Sequence, residues 1–164
     1  MLSWGAFAQG TGFPVVTEIA EVESSEGQTI LEVFNMLSGD RNSYYLDAGT
    51  LGIGGEILQI NLDPINKLFI PLGETLSEAV ATLEGFQELF QTPGETREVE
   101  GCFGLIPDDS RVPVRLLSRK LIFTRLLEFS IREGELFRST SVARSDFNSL
   151  LSSVKWYLKL HPEE

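Results

Sequence analysis

The sequence predicts an α+β domain: an antiparallel β-sheet of five to six strands, with amphipathic helices packed on it over about residues 75–91 and 146–160 and a further helix over 28–37. Three observations lead there. Two segments repeat apolar residues at helical spacing behind a capping residue. The runs between them are short, dense in β-branched and aromatic side chains, and broken by Gly, Pro, Asn and Asp. With 164 residues, 42% of them hydrophobic, the chain has material for one core rather than two. Residues 1–164 therefore form a single domain, with 1–12 as a loose N-terminal arm.

Within that arm, Ala6-Phe7-Ala8-Gln9 has the small-residue form of a signal cleavage site. No base precedes it and its apolar stretch is too short for a signal core. No run reaches the roughly 18 apolar residues of a spanning helix. No membrane span and a cytoplasmic address are expected.

For 28–37 the helical reading rests on the capping-box spacing Ser25-x-x-Gln28, on Ile30, Val33, Phe34 and Leu37 at i, i+3, i+4, i+7, and on Gly39 beyond the end. A competing reading pairs Phe13–Val22 with Thr29–Leu37 as strands across Ser24-Ser25-Glu26-Gly27, because both are rich in β-branched residues. Tyr44–Asp47, Glu56–Asn61 and Lys67–Pro71 then read as a meander, separated by Gly49–Gly55 and Asp63-Pro64-Ile65-Asn66. The helix over 75–91 opens on the capping box Thr75-x-x-Glu78. It sets Leu76, Ala79, Val80, Leu83, Phe86 and Phe90 on one stripe, turns Leu89 to solvent and stops before Pro93-Gly94.

The second part resumes with a strand over Arg97–Ile106, a turn at Pro107-Asp108-Asp109-Ser110 and a long run over Val112–Arg132. Glu133-Gly134 then form a two-residue hairpin loop that sets Ile131 opposite Leu136. One face collects Leu127, Phe129, Ile131, Leu136 and Val142, and the other Glu128, Ser130, Ser139 and Ser141. The last helix starts behind Ser145, aligns Phe147, Leu150, Leu151, Val154 and Leu158, and ends before Pro162.

The net charge of -11 repels phosphate backbones and anionic lipid surfaces and disfavours nucleic acid as a partner. It is unevenly spread: residues 1–96 hold two bases and fourteen acids, whereas 97–164 hold eleven bases and ten acids. The acidic part is either a solvated face or a docking surface for a basic partner. One histidine, His161, and one cysteine, Cys102, leave no set for a His-rich metal site or an internal disulfide, so neither metal nor cofactor is expected.

The order helix, strands, helix, strands, helix, with the segment Gly101-Cys102-Phe103-Gly104-Leu105-Ile106-Pro107-Asp108-Asp109 and the closing amphipathic helix, resembles the class I type III secretion chaperones and the YbjN-like proteins. The resemblance covers roughly 28–160 and lies in element order and acidity, not in a motif. It implies a homodimer that binds a segment of another protein without chemistry.

Four groups of residues are candidates for function. Gly49, Gly52, Gly54 and Gly55 form a glycine-rich loop, but no helix N-terminus or lysine follows to meet a phosphate. Cys102 has no base near it in sequence and reads as a small core residue. Arg115, Arg119 and Arg125 stud an apolar strand, either protecting a sheet edge or lining a groove for carboxylates. Trp156 and Leu160 lie on the side of the last helix away from its apolar stripe, where a second layer, such as the N-terminal arm, or a partner would cover them.

The expectation is a non-enzymatic, chaperone-like domain binding a protein partner, or a second copy of itself, through an apolar surface at Trp156, Leu160, Arg115, Arg119 and Arg125. Two alternatives stay open. One is a small-molecule or enzymatic domain with its pocket between the sheet and helix 75–91, beside the Gly49–Gly55 loop. The other is a β-barrel-like carrier of an apolar ligand.

Overall fold

Alternation of apolar and polar residues dominates the chain, and strands follow from it. A computed structural model describes residues 15–23, 30–50, 52–53, 67–104, 111–133 and 136–163. The elements run β1 Val15–Glu23, β2 Ile30–Ser38, β3 Arg41–Thr50, β4 Gly52–Ile53, β5 Lys67–Gly73, α1 Leu76–Glu88, β6 Thr96–Gly104, β7 Arg111–Lys120, β8 Arg125–Glu133, β9 Leu136–Ala143 and α2 Arg144–Leu160. The class is the α+β, antiparallel one that the sequence predicts. The described strands number nine rather than five to six, in the order β1-β2-β3-β5-β6-β7-β8-β9-β4.

Long ladders join β1-β2-β3-β5 into one half and β6-β7-β8-β9 into another. Among the described residues the seam between them is short, with Leu68↔Gly104 and Phe69↔Phe103 paired. At the far side Gly52 and Ile53 of β4, one residue beyond β3, pair with Ser139 and Arg138 of β9. The sheet thus curls until β9 meets the continuation of β3. Inside, Val33, Leu46 and Ile70 of the first half and Leu116, Leu127 and Phe129 of the second share one core with α1 and α2. Burying each such side chain contributes about 1.5–3 kcal/mol. That common core holds the halves together where the seam has few hydrogen bonds.

Over its described residues, 30–37, the expected helix is strand. β1 and β2 pair from Val15↔Leu37 to Glu23↔Ile30, the competing arrangement. The helical stripe failed at its ends, for Ile30 is 51% exposed while Leu31, outside the stripe, is fully buried. Phe34 was counted with Val33, but the two point to opposite faces, and both faces are covered. Ser25 and Gln28 lie outside the described residues, as do the arm over 1–12, the expected strand Glu56–Asn61 and the turn at Pro107–Ser110. Tyr44–Asp47 and Lys67–Pro71 lie within β3 and β5, which pair directly.

α1 follows its capping signal. Thr75 is extended, its hydroxyl oxygen accepts the Glu78 N–H at 3.1 Å, and its hydroxyl donates to the Glu78 carboxylate at 3.2 Å. Past Glu88 the chain tightens into a 3-10 turn, Leu89–Gln91. Leu89, expected to face solvent, is buried there, because the tighter winding breaks the extrapolation at 100° per residue.

The run over 112–132 is two strands, not one. β7 and β8 pair from Arg115↔Ser130 to Lys120↔Arg125, joined by Leu121–Thr124. The next hairpin closes one residue later than expected: Glu133 pairs with Leu136, and Ile131 with Arg138. Moving a loop by one residue moves each partner by two, so the faces keep their composition and Leu127, Phe129 and Val142 are buried together. α2 begins at Arg144, with Ala143 as a cap that offers no side-chain hydrogen bond; Ser145 lies inside the first turn and does not cap it.

Candidate functional site

Packing decides which face of α2 is left for recognition. Phe147, Leu150, Leu151 and Val154 are buried, while Trp156 and Leu160 are each 57% exposed. The helix is tied to α1 by an ion pair, Lys155 Nζ to Glu84 Oε2 at 3.2 Å, and by Gln87 Nε2 donating to Asn148 Oδ1 at 2.8 Å. Lys159 Nζ stands 5.5 Å from the Trp156 ring centroid, a cation–π distance. Trp156 is therefore presented from a braced helix.

Beyond α2, His161 stacks on Tyr157 with ring centroids 4.1 Å apart. Glu163 folds back onto the start of α1. Its carboxylate accepts the Leu76 N–H, the Ser77 N–H at 3.2 Å and the Ser77 hydroxyl at 2.9 Å. The chain's own anion thus occupies the positive end of α1. Tyr44 holds its phenol proton above the usual range, first through burial and then through the nearby charges of Glu163 and Tyr157.

The three arginines are not brought together on one strand. Arg115 and Arg119 belong to β7, an interior strand between β6 and β8, so edge protection does not explain them. Arg119 pairs with Glu128 across the ladder at 3.3 Å. Arg115 is exposed, opposite Glu98 and Ser130, and its carbonyl accepts the Ser130 hydroxyl at 3.4 Å. Arg125 opens β8, and its guanidinium donates to the Phe90 carbonyl at 2.5 Å, locking the 3-10 turn after α1 to the sheet.

Gly49 lies in β3 and Gly52 in β4, where it pairs with Ser139, so these two glycines are strand backbone; Gly54 and Gly55 lie outside the described residues. The space between the sheet and α1 is filled by Leu76, Ala79, Leu83 and Phe86, all in the core. Cys102 pairs with Val112 in the β6–β7 ladder.

Two features escaped sequence reasoning. The first is the β7–β8 turn. The Leu121 N–H donates to the Thr124 carbonyl at 2.8 Å, which leaves Ile122 and Phe123 at the apex, 89% and 97% exposed. Beside them opens a groove of about 490 Å³ whose walls include Lys120, Arg125, Arg144, Ser145 and Asn148. One signal was present in the sequence: a run from 112 to 132 is about twice the upper end of the usual strand length.

The second is an acidic cluster on the outer face of the first half. Glu21 pairs with Glu32, and Glu32 with Asp47, across three strands. An irregularity between Glu18 and Ala20 turns Glu18 to the same side, and the carboxylate oxygens of Glu18, Glu21 and Glu32 lie within 4.8 Å of one another. All-oxygen donors would match a hard cation rather than a transition metal. Glu18 keeps its proton above the ordinary range, through partial burial first and then its hydrogen bond with Glu21 and that residue's charge.

No helix among the described residues is long and apolar enough to cross a membrane. Scanned against family models and compared with curated proteins and solved structures, the chain finds no match.

Proposed function

We propose that the protein is a non-enzymatic interaction domain that holds a partner segment, in the simplest case from a second copy of the chain, against the outer face of α2. The observation that carries this reading is the pair Trp156 and Leu160, each 57% exposed on a helix fixed to α1 by hydrogen bond and ion pair. A rigid aromatic on a braced helix loses little side-chain entropy when covered, which is how interface anchors gain their affinity. The filled space between the sheet and α1 supports this reading over a small-molecule pocket there.

Trp156→Glu tests it. Light scattering after size exclusion should show the wild type heavier than one chain and the variant at the mass of one chain, with circular dichroism unchanged. A mainly apolar contact also persists as salt rises. A wild type that is one chain at every concentration and retains no partner segment, or a variant that stays associated, overturns the reading.

A further inference from the structure

The apex of the β7–β8 turn breaks a local rule. Turns between antiparallel strands favour Gly, Asn and Asp, and none of these stands in the four-residue connection Leu121–Thr124. Here the positions hold a β-branched Ile122 and an aromatic Phe123, at 89% and 97% exposure, so neither gains from packing within the chain. Where a sequence sets local preference aside without an internal return, function is the usual reason. The surroundings indicate what the apex meets. Lys120 and Arg125 end the two strands, Arg144 begins α2 beside them, and no carboxylate among the described residues lines the groove they share.

We propose that this turn is a reversible contact for a bilayer surface carrying anionic phospholipid. Ile122 and Phe123 enter the boundary between headgroups and acyl chains, while Lys120 and Arg144 face the phosphates. Apolar residues at an apex with cations behind them match the layering of a membrane interface, where apolar groups sink roughly 5–10 Å and bases stay with the headgroups. A protein partner would need a deep pocket to enclose two side chains projecting from so narrow a turn, whereas lipid adapts to a convex shape. The net charge of -11 does not forbid the contact. Its excess lies in residues 1–96, and screening over about 8 Å at physiological salt leaves the nearest charges to decide. This contact is separate from the partner site on α2.

The test is flotation of the full chain with vesicles of phosphatidylcholine and phosphatidylserine, against vesicles of phosphatidylcholine alone. The wild type should float with the mixed vesicles and much less with the neutral ones. The double substitution Ile122→Asn, Phe123→Gly supplies a favoured hairpin turn, so it should fold with equal or higher Tm while losing vesicle binding roughly tenfold or more. Lys120→Glu with Arg144→Glu should weaken binding by a similar factor, at roughly fivefold or more per charge. Trp156→Glu should leave flotation unchanged, which separates this site from the α2 reading. A wild type that stays in the aqueous layer overturns the proposal. So does flotation equal on both vesicles, or unchanged in the Asn-Gly variant. Should that variant instead lose the association with a second copy or partner segment while wild-type flotation is absent, the turn is a protein contact and the lipid assignment fails.

Discussion

In β1-β2-β3-β5 the outward face is aromatic and acidic. Phe34 lies 5.6 Å from Tyr45 and 5.4 Å from Phe69 by ring centroid, and Glu18, Glu21 and Glu32 crowd together on the same side. In β6-β7-β8-β9 the outward charges alternate in sign, with Arg115 opposite Glu98 and Arg119 held by Glu128 at 3.3 Å. The uneven charge of the sequence is therefore a division between halves of one sheet. The first half carries like charges at a cost in stability. The second pairs opposite charges along its ladder and sets Lys120 and Arg144 around an exposed apolar turn. Both halves rely on the same core, so the repulsion in one is borne by packing that belongs to both.

That dependence can be broken most severely at Phe147. It is fully buried in α2 and lies 5.7 Å from Phe90 by ring centroid, where the two helices meet the sheet. Phe147→Ala should cost about 3–5 kcal/mol, the usual range for an aromatic removed from a core. Urea unfolding followed by circular dichroism and by tryptophan fluorescence should move together, because both halves draw on one core that neither keeps alone. Two separated transitions, or a loss below about 1 kcal/mol, would show that the halves are stable independently.

A smaller effect is expected at the tail. The Glu163 carboxylate meets three donors at the start of α1, so Glu163→Ala should cost about 1 kcal/mol, and Glu163→Gln less, because the amide oxygen still accepts. Thermal unfolding at low and high salt measures this. A loss that salt does not reduce would mean that the charge contributes nothing to the cap.

Much of the chain from Thr75 onward was legible because each element there carries one dominant signal. Thr75 and Glu78 sit at capping spacing, the stripe Phe147, Leu150, Leu151, Val154 has one period, and hairpin faces survive a loop misplaced by one residue. The first part was harder because both faces of its sheet are covered. Val33 and Phe34 are buried on opposite sides, so β2 shows no clean alternation and imitates a helix. The break between β7 and β8 showed only in the length of the run, for a different reason. Leu121-Ile122-Phe123 has strand propensity and no turn residue, since that position answers to something other than the local backbone. The carboxylate cluster needed pairing across three strands and an irregularity in β1, both of which are tertiary facts.

The gentlest way to sharpen the contrast between the halves is to remove one of those charges. Glu18 holds its proton above the ordinary value of 4.5, so the folded chain binds more protons than the unfolded one between 4.5 and the raised value. Stability from this group is then fully present below 4.5 and is lost as pH rises through the folded value. At neutral pH the ionised carboxylate is a net cost, which Glu18→Gln removes. Because the side chain is largely exposed, solvent screens most of the repulsion, and the variant should gain less than ~0.5 kcal/mol at pH near 7 and nothing in acid. The gain should shrink in high salt. Glu128→Gln in the second half should act with the opposite sign, since it strips Arg119 of its partner. Urea midpoints for both variants at acid and neutral pH decide the matter: equal signs would mean that the two outward faces do not differ in their electrostatics.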